Sequence, residues 1–352
     1  MDSQQLTSLG GLMQESMMSP MHGFDALGSD NIETLPTPDP ARIPLLSFTA
    51  PASGTETVSW TASTTPTVYW GDGTSDSSST HTYTGLTEGE LITINLAASF
   101  GGTFVAGDDL KDLSGLIFWW DGVEDSISNL NLKDMGITRR MNPFMNSPYG
   151  NINFTGNSIE GQFPQGITPT GSFFITNNNF VGGLPIPNLS TISNYVIAEN
   201  AFRGAIHDIS GSTAIKRYSV FGQDDGFQGN PQRTQVMLTG EIPDLSACPD
   251  LVFYHVGNGG QDLYKRGLIN DIKVASDFDV NVNIKEFYAG SCQLTESCVD
   301  RILSTFAAKA GTFTDPIKIG LGGANANASA AGEANATILR NNGWVVVLAP
   351  EF

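Results

Sequence analysis

Residues 154–164 read FTGNSIEGQFP, and residues 175–185 repeat their pattern as ITNNNFVGGLP. Both stretches have Asn at the fourth position, Gly at the eighth and Pro at the eleventh. A third copy starts at Ile197 and has His207 in the place of the Pro. A motif that recurs with a fixed spacing indicates a structural unit that is built several times.

Each repeat also carries one alternating pair of apolar residues. The pairs are Leu130/Leu132, Ile152/Phe154, Phe173/Ile175 and Tyr195/Ile197. Their second members lie 22, 21 and 22 residues apart. Alternation with a period of two places both side chains on one face of a β-strand. We therefore expect one strand per repeat, with its apolar pair in the core.

The motif resembles the plant-type leucine-rich repeat, with its core of Asn, Gly and Pro. We expect these positions to be structural. A buried Asn side chain bonds the backbone of neighbouring repeats, Gly relieves a crowded turn and Pro fixes φ. The structural set is Asn157, Asn178, Asn200, Gly161, Gly182, Gly204, Pro164 and Pro185.

Function is then expected on the side chains that alternate with the core pairs and face outward. These candidate ligand-binding residues are Asn153, Thr155, Phe174, Thr176, Val196, Ala198, Ser219 and Tyr254. Exposed apolar side chains on adjacent strands, such as Phe174 and Val196, favour a binding surface. The alternative is that all of them are merely solvated sheet positions.

Residues 45–98 consist of short runs rich in Thr, Val and aromatic residues, which predict strands. TVYWGDGT followed by HTYTGL resembles the PKD-type immunoglobulin-like module. The resemblance implies a small β-sandwich in which the turn at Asp72 is structural. Asp72 and Asp76 as metal ligands are the alternative.

The sequence of residues 295–352 predicts helices that alternate with strands. Thr295 is expected to cap a helix that runs over residues 297–310 and stops at Gly311. A strand at 317–321, a second helix and the strand WVVVL follow. The expected fold is mainly β with some α: a PKD/Ig-like β-sandwich at 45–98, a leucine-rich-repeat solenoid at 99–294 and a βαβ C-terminal cap at 295–352.

Residues 1–44 hold five of the nine Met and end in LPTPDPARIP. The Pro-rich end predicts an extended spacer. We expect an anchoring arm that docks into a partner, the alternative being a disordered tail. The apolar contacts of this arm would be Leu6, Leu9, Leu12, Met13, Met17 and Met18.

Composition narrows the function classes. The net charge of -19 disfavours nucleic acid as a partner. No apolar run is long enough to span a membrane, and the N-terminus lacks the basic and apolar regions of a secretory signal. Three cysteines suit a reducing cytosol. We find no catalytic motif or metal-ligand spacing, so we expect no enzyme activity, no cofactor and no metal; a pair of carboxylates acting on glycans is the alternative.

The layout at 45–352 resembles phage-encoded and bacterial surface proteins that join a PKD-like module to leucine-rich repeats. The resemblance implies a virion structural protein: a spike, fibre or head decoration. It would bind other virion proteins (capsid, penton or tail) through the arm and a host-surface glycan or protein through the repeats, and homo-oligomerisation is left open. The expected location is the virion, assembled in the host cytoplasm. The alternative is an adhesin or binding protein that is secreted or lies on a bacterial cell surface.

Overall fold

The computed structural model describes residues 42–51, 54–98, 100–118, 127–137, 150–164, 166–186, 188–223, 235–257 and 268–349. They all belong to one unit, residues 40–352. Strands, numbered here in chain order, take up 38% of the described residues, and two α-helices accompany them. The predicted anchoring residues of the arm lie outside the described residues.

The largest sheet has twelve strands, in the order β5-β2-β7-β9-β10-β12-β14-β16-β18-β20-β21-β22. They are β2 Thr55–Thr64, β5 Thr80–Thr84, β7 Gly101–Ala106, β9 Ile127–Asn131, β10 Asn151–Asn153, β12 Ser172–Phe174, β14 Asn194–Val196, β16 Arg217–Ser219, β18 Phe253–His255, β20 Glu286–Tyr288, β21 Lys318–Gly320 and β22 Val345–Val347. Strand β2 is antiparallel to both of its neighbours. From β7 onward every pairing is parallel. We call this the large sheet.

Two five-stranded sheets accompany the large sheet. One is antiparallel, in the order β4-β3-β6-β1-β8. Its strands are β1 Ile43–Thr49, β3 Val68–Tyr69, β4 Ser75–Asp76, β6 Leu91–Leu96 and β8 Ser114–Phe118. The other is parallel. Its strands are β11 Glu160–Gln162, β13 Asn179–Gly183, β15 Ala201–Ala205, β17 Gln235–Ile242 and β19 Leu268–Val274.

The core of the large sheet is a row of middle residues, one from each strand, held in register. Five neighbouring members are aromatic and fully buried: Phe173, Tyr195, Tyr218, Tyr254 and Phe287. Their ring centroids are 5.7, 5.6, 5.4 and 5.6 Å apart in succession. We call this the aromatic column. Each ring contributes about 1.5–3 kcal/mol by burial, and each stacked pair adds about 0.5–1.5 kcal/mol.

Both helices lie where the sequence predicted them. Helix α1 is Glu296–Ala308, and the Thr295 side chain caps it by accepting from the backbone N–H of Cys298. It buries one apolar face, consisting of Val299, Ile302, Leu303 and Phe306. Helix α2 is Ala330–Asn341 and connects two parallel strands, β21 and β22. Neither helix of the described part is long and apolar enough to cross a membrane.

The fold class expected from the sequence, a small sandwich followed by a leucine-rich-repeat solenoid with a βαβ cap, is wrong. The described residues form large sheets, parallel ones included, and no solenoid is found in them. The physical reason is that the strands at 45–98 do not close on themselves. Strand β2 uses its second edge to pair with β7, and β1 uses its second edge to pair with β8. The four predicted regions, 1–44, 45–98, 99–294 and 295–352, stay predictions.

Candidate binding face on the large sheet

The residues on either side of each core position point out of the large sheet and define its outer face. The strand register aligns them in two rows. The first row is Asn129, Asn151, Ser172, Asn194, Arg217, Phe253, Glu286, Lys318 and Val345. The second row is Asn131, Asn153, Phe174, Val196, Ser219, His255, Tyr288, Gly320 and Val347. All of these are at least partly exposed except Gly320, where an added side chain would clash with the Tyr288 ring.

The first half of the outer face is rich in amides that bond one another. Asn151 Nδ2 donates to Asn129 Oδ1 at 2.6 Å, and Asn151 Oδ1 accepts from the backbone N–H of Ser172 at 2.8 Å. Asn194 Nδ2 donates to Ser172 Oγ at 3.0 Å. Because these groups bond along the row, they hold each other in fixed orientations.

The second half of the outer face combines rings and charges. We call Arg217, Phe253, His255, Glu286, Tyr288 and Lys318 the charged–aromatic patch. The Arg217 guanidinium lies 4.0 Å from the centroid of the Phe253 ring. Glu286 has Lys318 Nζ 3.2 Å from one carboxylate oxygen and His255 Nε2 3.6 Å from the other. The Tyr288 ring packs edge-on against His255, with centroids 4.8 Å apart.

The pKa of His255 is lowered within this patch. Burial lowers the pKa of its imidazole below the usual value, and Arg217 lowers it further, while Glu286 acts in the opposite direction. Its Nε2 atom is buried and makes no hydrogen bond to any described residue. Buried polar atoms are nearly always bonded, so an unpartnered one on an outer face is a candidate contact for a ligand. His255 therefore marks the patch as the part of the outer face best suited to a ligand.

The structure brings most of the sequence-predicted binding residues onto one face. Asn153, Phe174, Val196 and Ser219 occupy consecutive places in the second row and are half-buried. Thr155 and Thr176 follow their strands and are also half-buried, whereas Ala198 is buried at 8% exposure.

The outward orientation expected for Tyr254 is wrong. Tyr254 is fully buried in the aromatic column because its neighbours Phe253 and His255 are the ones aligned with the outward Arg217 and Ser219. Tyr254 and Val256 are an apolar pair like Tyr195 and Ile197, and that alternation was the available signal. The same error in register hid Phe253 and His255 from the sequence analysis. Tyr288 was missed as well.

A ladder of buried side-chain amides lies behind the outer face. Asn157, Asn178 and Asn200 each donate from Nδ2 to carbonyl groups of their own repeat and of the preceding one. Gln223 takes the next place, and its Nε2 donates to Ile197 O and Val220 O. Asn270 and Asn325 make the same kind of contact further along. The ladder satisfies backbone groups that the turns leave unpaired.

The predicted Gly positions lie within strands β11, β13 and β15 and not in turns as the sequence suggested, and Pro164 and Pro185 follow the first two of these strands. Gly161, Gly182 and Gly204 have φ of +93°, +99° and +102°, a region that favours glycine. Pro164 and Pro185 are buried. The Pro185 carbonyl accepts a hydrogen bond from Tyr195 Oη at 2.6 Å.

His207, which replaces the Pro of the motif, is packed against the aromatic column. Its backbone N–H donates to Tyr218 Oη at 3.0 Å, and its ring lies edge-on to Tyr195 at 5.1 Å. Burial lowers the pKa of the imidazole to about 4, from an ordinary value of 6.5. The folded protein therefore holds His207 neutral at pH values where the unfolded chain is protonated.

The stability of the protein should depend on pH through His207. Between pH 6.5 and about 4 the unfolded chain binds more protons, so stability falls as the pH falls through this range. The full effect is about 3 kcal/mol. We expect His207→Gln to lose about 3 kcal/mol less than the wild type between pH 7 and pH 4, measured by urea unfolding. An equal loss in both proteins would contradict the assignment.

The carboxylates of Asp72 and Asp76 already accept hydrogen bonds from other residues of the protein. Asp72 accepts from the backbone and hydroxyl of Thr74 and lies 2.8 Å from His81 Nε2. Burial raises the pKa of Asp72, but these hydrogen bonds and His81 outweigh it, and the net shift is downward. Asp76 accepts from the Trp70 indole at 3.0 Å. Among the described residues, no group of three or more His, Cys, Asp or Glu is placed to hold a metal ion.

No protein-family model and no curated protein matches this chain.

Proposed function

We propose that the protein is a non-enzymatic structural protein of a phage virion, a spike, fibre or head decoration, which recognises the host surface with the outer face of the large sheet. The observation that carries the recognition role is the charged–aromatic patch. Aromatic rings and Arg supply most of the binding energy in protein interfaces. The virion assignment rests on the Met-rich arm, its Pro-rich spacer and the layout of the sequence.

The patch is organised before any ligand arrives. Arg217 lies on the Phe253 ring, and Lys318 is paired with Glu286. Side chains that are already fixed lose little conformational entropy on binding, and this increases affinity. The short parallel strands beneath the patch set the spacing of these side chains to that of the sheet.

The test uses particles that display the full chain and particles made with a chain lacking residues 1–40. If the arm anchors the protein, the truncated chain folds but is not incorporated. Incorporation of the truncated chain at the level of the full chain would refute the anchoring role. Secretion of the full chain by a bacterial cell, with no incorporation into particles, would favour the adhesin alternative.

The recognition role makes a prediction of its own. We expect Phe253→Ala together with Tyr288→Ala to weaken binding of the full chain to host cells by about 30–1,000-fold, because two anchors worth about 1–2 kcal/mol each are lost. The matched control is Phe202→Leu, a fully buried change away from the outer face, which should leave binding unaltered. Unchanged binding in the double variant would contradict the role of the patch. Binding is measured as the labelled protein retained by the cells.

A further inference from the structure

A cavity of about 460 Å³ opens beside the patch, at the edge of the large sheet where β16, β18 and β20 begin. Its walls come from residue 216 and from the segments 249–252, 282–285 and 314–315. Lys216, Val252 and Lys285 directly precede the patch residues Arg217, Phe253 and Glu286. Volumes of this size are typical of sites for small molecules rather than of protein–protein contacts.

The charged groups in the walls are balanced. Two Lys and two Asp line the cavity. Lys285 Nζ lies 3.4 Å from Asp315 Oδ2, so that pair is matched. Lys216 and Asp250 make no ion pair with any described residue. The cavity therefore offers one ammonium group and one carboxylate that are outside these ion pairs, and its overall neutrality disfavours a strongly charged ligand.

One wall of the cavity is apolar and accessible. Val282 is 43% exposed, one of the few large hydrophobic side chains of the described part that reach the surface to this extent. Pro249 and Ile284 also line the cavity. Asn283 is fixed there because its Nδ2 donates to the Pro249 carbonyl at 2.8 Å. A ligand that suits this site has a C–H face for Val282 and hydroxyl groups for the polar side chains.

We propose that the cavity binds one saccharide unit of a host-surface glycan. Asp250 accepts hydrogen bonds from the sugar hydroxyls, Lys216 donates to them, and Val282 packs against the C–H face of the ring. The inference rests on the proposed function, since it names the ligand class and the place where the end of the glycan is held. The charged–aromatic patch next to the cavity would contact the following units of the same glycan.

The experiment is saturation-transfer NMR on the full chain. The probes are glucose, galactose, mannose, N-acetylglucosamine and inorganic phosphate, each at about 10 mM, above a weak-binding Kd of about 1 mM. We expect saturation transfer to at least one sugar. Asp250→Asn and Lys216→Ala should each weaken its binding by about tenfold, the effect of one lost hydrogen bond to a charged group. Val282→Ser should weaken it as well.

The control is Glu160→Gln, which changes a carboxylate on the second parallel sheet, outside the cavity. It should bind the sugar like the wild type. No transfer to any sugar, transfer that persists unchanged in the three cavity variants, or phosphate competing the sugar away would each overturn the inference. Host-cell binding without sugar binding would overturn this inference and leave the proposed function standing. Sugar binding in the cavity without host-cell binding would overturn the proposed function and leave this inference standing.

Discussion

Replacing Asn157 with Ala is expected to lower the free energy of unfolding by about 4 kcal/mol or more. The Asn157 side chain is 6% exposed and makes four hydrogen bonds. Its Oδ1 accepts from the backbone N–H groups of Met135 and Ile137, and its Nδ2 donates to Leu132 O and Phe154 O. Alanine leaves three of these backbone groups buried without partners, each at a cost of about 1–3 kcal/mol, while the Phe154 carbonyl keeps its hydrogen bond from Asn178 Nδ2. Such a loss is a large part of the stability of a typical protein.

Urea unfolding followed by circular dichroism measures this change. Asn157→Asp should be nearly as damaging at neutral pH, because a carboxylate accepts but does not donate to the two carbonyl groups. The matched control is Asn153→Ala, four residues earlier on the outer face, where the side chain accepts only from the backbone N–H of Thr155. We expect the control to cost about 1 kcal/mol or less. Equal costs for Asn157→Ala and Asn153→Ala would refute the role of the ladder.

Replacing Tyr254 with Ala is expected to cost about 3–5 kcal/mol, because it removes the ring between Tyr218 and Phe287 and leaves a cavity in the aromatic column. Replacing Tyr254 with Phe should instead stabilise the protein. The Tyr254 hydroxyl is buried and makes no hydrogen bond to any described residue. Removing a buried hydroxyl without a partner should raise the free energy of unfolding by about 1 kcal/mol.

The same change at Tyr195 is the control for Tyr254→Phe. Tyr195 Oη donates to the carbonyl of Pro185 at 2.6 Å, so Tyr195→Phe leaves that carbonyl unpaired and should cost about 1 kcal/mol. Thermal unfolding of Tyr254→Ala, Tyr254→Phe and Tyr195→Phe distinguishes what the Tyr254 ring contributes to stability from what its hydroxyl contributes. If Tyr254→Phe is destabilised as much as Tyr195→Phe, the Tyr254 hydroxyl has a hydrogen-bond partner.

The local elements of this protein follow from its sequence. The apolar pairs predicted the strands at Ile152, Phe173 and Tyr195, since alternation and a constant step determine which residues face inward. Thr295 predicted the start of α1 because an N-cap side chain depends on only a few neighbouring residues. Both signals depend on residues that are close together in the sequence, and residues far away along the chain do not alter them.

The pairing of strands that are distant along the chain could not be predicted from the sequence in the same way. No local pattern indicates that β2 pairs with β7 on its second edge, since a strand looks alike whether one edge or both are bonded. The register at Tyr254 was lost because the step from Tyr218 is longer than the repeat before it. The cavity draws its walls from residue 216 and three later segments, which meet only because β16, β18 and β20 lie side by side. Candidate binding residues therefore became apparent only with the pairing of the strands.

The row of parallel strand pairs from β7 to β22 has a mechanical consequence. Each strand in this row is bonded only to its two neighbours, so a pulling force between the ends of the row passes through the strand pairs in series. The weakest pair then yields first while the rest stay intact. If β21 separates from β20 and helix α1 also unfolds, residues 289–317 can extend to roughly 100 Å. Under tension the row lengthens in separate steps, each absorbing work, instead of failing all at once.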